Sequence, residues 1–303
     1  MATAQQLNTQ FGIAGQLAFR EDASGLIIAE INNTQATASI CLQGAHLMTW
    51  QPRNQATPVI WLSRDARLAV GKSIRGGVPV CWPWFGAHSS EPGYPAHGFA
   101  RTTPWQVIES GITPDGTTHL ALSLENNEKT HAWWPHSCRL DLSVTIGETL
   151  RMELVTENTG ESGFSISEAL HAYFRISDIG AVSISGLEGC AYWDKAGVST
   201  RKIQDGIIRF AGETDRVYID TAAECVIDDE KLKRRIRITK TGSLSTVVWN
   251  PWTAKAEKMG DLGTPAGWRE MVCVESANAI DNIVKIAAGT RHTLTVEYRA
   301  EPA

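Results

Sequence analysis

The sequence predicts an all-β fold in which antiparallel strands pack as a sandwich. Three observations point there. Short apolar segments with period-two alternation or β-branched runs recur along the chain, turn signals separate them, and segments with helical periodicity are few and short. In chain order the strand candidates are Leu26 to Ile31, Leu120 to Leu124, Leu150 to Thr156, Arg235 to Thr239, Leu244 to Trp249 and Thr293 to Tyr298. Thr113-Pro114-Asp115-Gly116, Ile146-Gly147-Glu148, Asn158-Thr159-Gly160 and Thr241-Gly242-Ser243 carry the residues that tight turns favour. Glu125 to Ala132 and Thr253 to Met259 read as helical connectors, each about two turns long. The polar residues 1–10 are expected to form a flexible N-terminal segment. The tract Asp228 to Arg237 passes from acidic to basic and reads as a solvated hairpin turn followed by an exposed strand face. With no composition break, linker, repeat or low-complexity tract, a single domain over 1–303 is predicted.

Composition narrows the function. Of the 303 residues 43% are hydrophobic and 20% charged, enough to bury a core and too apolar for disorder. A net charge of -5 and a pI near 5.9 argue against nucleic-acid or acidic-membrane partners, although one arginine cluster could still hold a small anion. Cys41, Cys81, Cys138, Cys190, Cys225 and Cys273 are widely spaced with no C-x-x-C pair, and read as reduced core residues. No basic start followed by an apolar run is visible, nor a stretch long enough to span a bilayer. A cytoplasmic monomer acting on a small molecule is the expectation.

The densest unusual stretch is Ser73-Ile74-Arg75-Gly76-Gly77-Val78-Pro79-Val80-Cys81-Trp82-Pro83-Trp84-Phe85-Gly86, followed by His97-Gly98-Phe99-Ala100-Arg101. Glycine next to proline and large aromatics fits a rigid loop whose backbone approaches a ligand, or equally a tight structural corner. Arg75 and Arg101 flank it; two guanidinium forks match a phosphate, and pairing with surface carboxylates is the alternative. In Glu168-Ala169-Leu170-His171-Ala172-Tyr173-Phe174, strand alternation puts Ala169, His171 and Tyr173 on one face. His171 can exchange a proton near neutrality or be a satisfied core histidine. Glu275 ends the apolar run Met271-Val272-Cys273-Val274, where burial would raise its pKa and suit a general base, although a structural hydrogen bond would also explain it.

With these residues assembled, the sequence resembles the hexose-6-phosphate mutarotase (glucose-6-phosphate 1-epimerase) branch of the aldose 1-epimerase family. The resemblance runs through the two loop motifs above, Leu170 to Phe174, Thr214-Asp215-Arg216-Val217-Tyr218, Trp249-Asn250-Pro251 with Met259-Gly260-Asp261, and Cys273-Val274-Glu275. It implies a galactose mutarotase-like supersandwich of antiparallel sheets with an open sugar cleft, no metal and no organic cofactor. It also implies Glu275 as general base, His171 as general acid, His97 assisting at the ring oxygen, Asp215 on a sugar hydroxyl, and Arg75 with Arg101 as a phosphate clamp. Trp82, Trp84 and Trp249 lie in or beside the motifs and could pack on sugar C–H groups or simply fill the core, with Trp82 expected among the substrate-binding residues. Lys255 and Asp261 read as solvated. The expected chemistry is anomer exchange by ring opening, with Glu275 as carboxylate keeping His171 protonated. The rivals are a non-catalytic sugar-phosphate-binding module, a hydrolase using Asp215 and Glu275 as its carboxylate pair, and a mutarotase for unphosphorylated aldoses.

Overall fold

A computed structural model describes residues 2–126, 128–263 and 265–303. Its strands pair antiparallel, as the sequence predicts, in two eight-stranded sheets, a four-stranded sheet and a two-stranded ribbon. Alternation explains the outer sheet. In its hairpin Cys138–Ile146 and Thr149–Asn158, every second residue is buried and those between are partly or fully exposed, so one face meets the core and the other water. Each Val or Leu buried this way contributes about 1.5–3 kcal/mol.

The other large sheet is built differently. It runs Thr200–Ile203, Ala191–Asp194, Thr214–Tyr218, Ser245–Asn250, Met271–Asn278, Glu168–Leu170, Val80–Cys81, with Tyr173–Arg175 also paired to Met271–Asn278. Ser245–Asn250 and Met271–Asn278 are buried at every position, so both faces are covered. Parity separates the faces: Val272 and Val274 join the main core, whereas Met271, Cys273 and Ala277 belong to a second cluster with Ala169, Tyr173, Val217, Val247, Trp249 and Cys81. Glu275 has the parity of that second face, as do His171 and Asp215 on their own segments. The sheet therefore delivers the candidate residues to one side.

Three sequence expectations need correction. Ala4–Phe11, placed in a flexible segment, is a helix: Thr3 and Gln6 exchange side-chain and backbone hydrogen bonds in a capping box, and the Asn8 amide bonds both backbone groups of Phe19 at 2.7 Å. The tract Asp228 to Arg237 is a hairpin, Cys225–Asp229 against Arg234–Thr241, but not wholly solvated. Asp229 is buried and accepts from the Ser177 backbone N–H and hydroxyl, and buried Arg234 donates to the carbonyls of Thr57, Pro58 and Arg175. The helical connectors shift slightly, to Glu128–His131 and Trp252–Met259. All six cysteines are unpaired, five of them buried. No helix among the described residues is long and apolar enough to cross a membrane.

Candidate active site

The second face of the buried sheet opens into a cleft of about 300 Å³, lined by Arg75, His97, Arg101, His171, Asp215 and Glu275 among others. Residues spread over two hundred positions of sequence thus meet in one place. His171 and Glu275 are buried and adjacent, with His171 Nε2 3.3 Å from Glu275 Oε1. Each keeps a buried side-chain atom unpaired, His171 Nδ1 and Glu275 Oε2. Buried polar atoms are normally satisfied, so two unpaired ones on adjacent residues in a cleft mark a place built for another molecule.

The imidazole of His171 is held by its neighbours. Tyr173 lies parallel to it, with 4.9 Å between ring centroids and 9° between planes, and Trp249 meets both rings edge-on. The Tyr173 hydroxyl accepts from Arg75 Nη1 at 3.0 Å, and Arg75 Nε donates to Asp261 Oδ1 at 3.0 Å. Asp261 is therefore a brace for Arg75 and not merely a solvated group. Lys255 is likewise engaged, with Glu213 at 2.8 Å and Asp215 at 3.8 Å.

The loops complete the rim. Gly77 has φ +69°, and a Cβ there would come within 2.3 Å of Leu47 O and His46 Nε2, so the chain after Arg75 packs where only glycine fits. His97 has a positive φ of 63°, uncommon for a residue with a side chain. Its backbone N–H donates to Gly86 O at 2.6 Å, the Gly86 N–H donates to His97 Nδ1 at 3.3 Å, and Arg101 Nη2 donates to Ala96 O at 2.7 Å. Because Nδ1 accepts, a neutral His97 carries its proton on Nε2. Burial, with Arg101, Lys195 and Arg75 nearby, lowers the His97 pKa to about 3, so the neutral form prevails.

The charge state of the central pair differs from the sequence expectation. Burial, then His97, Arg101 and Arg75, pushes His171 well below the ordinary histidine value; burial, then Asp215, pushes Glu275 well above the ordinary carboxyl value. The expected imidazolium–carboxylate gives way to a pair that favours its neutral form, because desolvation and nearby guanidiniums outweigh the mutual attraction. Asp215 is also raised by burial, against the pull of Lys255 and Lys195.

Trp82 is a second correction. It has the parity of Val80, on the core side of Val80–Cys81, and its indole N–H donates to buried Thr156 Oγ1 at 3.0 Å. Trp84 is also in the core, donating to Pro95 O, and Trp249 is the tryptophan of this set that lines the cleft. Sequence reasoning passed over Lys195, which lines the cleft from the turn after Ala191–Asp194 and whose N–H donates to Asp215 O at 2.7 Å. The Asp194-Lys195-Ala196-Gly197 segment signals a turn and nothing of the chemistry. The Asp261 brace was also missed, although its motif had been singled out.

The family model for aldose 1-epimerase matches residues 28–299. A protein of Escherichia coli (strain K12) named "Putative glucose-6-phosphate 1-epimerase" is 40% identical over 261 residues, 86% of each chain. One of the same name from Cenchrus ciliaris is 33% identical over 88% of this chain and 82% of its own. The crystal structure of "a putative mutarotase (YeaD)" from Salmonella typhimurium superposes with a TM-score of 0.88 at 34% identity, covering 97% of this chain and 96% of the other. By the extent of the family match and the identity to these relatives, the chain belongs to the aldose 1-epimerase family.

Proposed function

We propose that this isomerase interconverts the α and β anomers of a hexose 6-phosphate, with glucose 6-phosphate the first substrate to test. The observation that carries the reading is the buried His171–Glu275 contact of 3.3 Å in a cleft shared with Arg75 and Arg101. Glu275 takes the proton of the C1 hydroxyl while His171 delivers one to the ring oxygen, and the bond from C1 to that oxygen breaks to leave an open-chain aldehyde. Rotation about the C1–C2 bond presents the other carbonyl face, and closure returns both protons. Each acid or base contribution is worth about 10²–10⁴ in rate. Neutral His97 donates from Nε2, Asp215 accepts from a sugar hydroxyl, and the two guanidiniums hold the phosphate; that the substrate carries one is supported by relatives named for glucose 6-phosphate.

Saturation transfer between the anomeric protons of glucose 6-phosphate tests the reading. Exchange accelerated by the wild type and lost in Glu275→Gln is expected; exchange of free glucose at equal efficiency would overturn the phosphate assignment. Arg75→Ala and Arg101→Ala should each raise KM for the ester by about 10- to 100-fold, the worth of a hydrogen bond to a charged group, with far less effect on free glucose.

A further inference from the structure

We propose that the phosphate of the substrate acts in the chemistry as a counter-charge. Docked on Arg75 and Arg101, it cancels the positive field at His171 and lets the proton of the His171–Glu275 pair move onto His171, so that the anion raises turnover as well as affinity. The inference rests on the phosphate site proposed above.

The geometry makes the coupling directional. Arg75 reaches His171 through one intermediary, Tyr173, whose hydroxyl accepts from the guanidinium while its ring stacks on the imidazole. The cations bearing on His171 are Arg101 and Arg75, beside the titratable His97, and the groups bearing on Glu275 are Asp215, Lys195 and Arg101. Arg101 opposes a proton on either partner, whereas Arg75 weighs on the histidine side. The pair is buried, and at low dielectric a nearby guanidinium is felt more strongly than in water. Burial above all, and then these charges, lower His171 and raise Glu275, which favours the proton on Glu275, the distribution needed after ring opening and not before it. A dianion on Arg75, added to the Asp261 carboxylate already 3.0 Å from it, offsets one of the cations that disfavour imidazolium. Ring opening then consumes the proton of His171 and loads Glu275, and closure restores the starting state, so protons balance over the cycle.

The test supplies the substrate in two pieces. D-xylose has the ring of glucose without C6, and phosphite supplies the dianion; anomer exchange of xylose by the wild-type enzyme is measured as phosphite is added, with Glu275→Gln as the control for solution catalysis. The expected result is a saturable rise in kcat of about tenfold or more, the change in charged fraction that one pKa unit represents, absent from Glu275→Gln. Arg75→Gln should turn over free xylose faster than wild type and lose the response to phosphite. Phosphite that leaves kcat unchanged, or only inhibits, overturns the inference while a low KM for glucose 6-phosphate leaves the phosphate site standing. Equal KM for ester and free sugar would remove the site, and the inference with it.

Discussion

Among the described residues two histidine–glutamate pairs have a buried carboxylate, and they are tuned in opposite directions. His171 lies 3.3 Å from Glu275 and His292 lies 2.9 Å from Glu168, and both carboxylates are almost fully buried. Their surroundings differ. Glu168 Oε1 also accepts from Asn278 Nδ2 at 3.0 Å, and Asn278 in turn donates to Gly242 O and contacts His292 Nε2 at 3.2 Å, so this pair sits in a hydrogen-bond network. The Glu168 hydrogen bond and charge raise the His292 pKa over an opposing burial effect, while burial, with His97, Arg101 and Arg75 nearby, lowers His171. Identical functional groups become a structural clamp or a proton-exchanging pair according to what encloses them.

The most severe way to break the contrast is Glu275→Gln. Anomer exchange should fall by about 10²–10⁴ while the urea midpoint holds or rises, because the variant removes a carboxyl that the fold keeps from ionising. A large loss of stability would mean that the two pairs are alike. Glu168→Gln should do the reverse, costing about 1–3 kcal/mol by urea unfolding as the His292 contact weakens, with kcat unchanged at temperatures where the variant is folded. Loss of kcat there would make Glu168 part of the chemistry.

The smallest expected effect is in pH, and its sign separates the pairs. The folded pKa of His292 lies above the unfolded one, so its stabilisation is fully present below the ordinary histidine value of 6.5 and is lost as pH rises through the folded pKa. The folded pKa of His171 lies below 6.5, so this residue opposes folding as pH falls through 6.5. Urea midpoints from pH 5 to pH 9 should therefore show His292→Gln closing on wild type as pH rises and His171→Asn closing on, or passing, wild type as pH falls. The same slope for both variants would erase the distinction.

What the sequence revealed followed from periodicity and motif. Strand alternation put His171 and Tyr173 on one face, and the apolar run ahead of Glu275 marked its burial; both placements hold in the structure. Trp82 was misplaced because Val80–Cys81 is only two residues long and flanked by prolines, too short for parity to be read. The protonation of His171 depends first on its burial and then on His97, Arg101 and Arg75, which reach it from segments far away in the chain, so no local pattern could express it. The N-terminal helix was legible in principle: Thr3 and Gln6 have capping-box spacing, but the segment is mostly polar and carries a weak apolar stripe.

The double-covered strand Met271–Asn278 has a consequence for how such a protein can be altered. Glu275 is fixed to interior framework, whereas Arg75 and His97 stand on loops and Arg101 in the short 3-10 helix Ala100–Thr102. The base is thus carried by the rigid part of the molecule and the phosphate contacts by its connections. A library confined to Ser73, Arg75 and Arg101, which line the cleft, could redirect the molecule toward sugars with other substituents while leaving His97, His171 and Glu275 in place, whereas apolar positions of the strand tolerate little change.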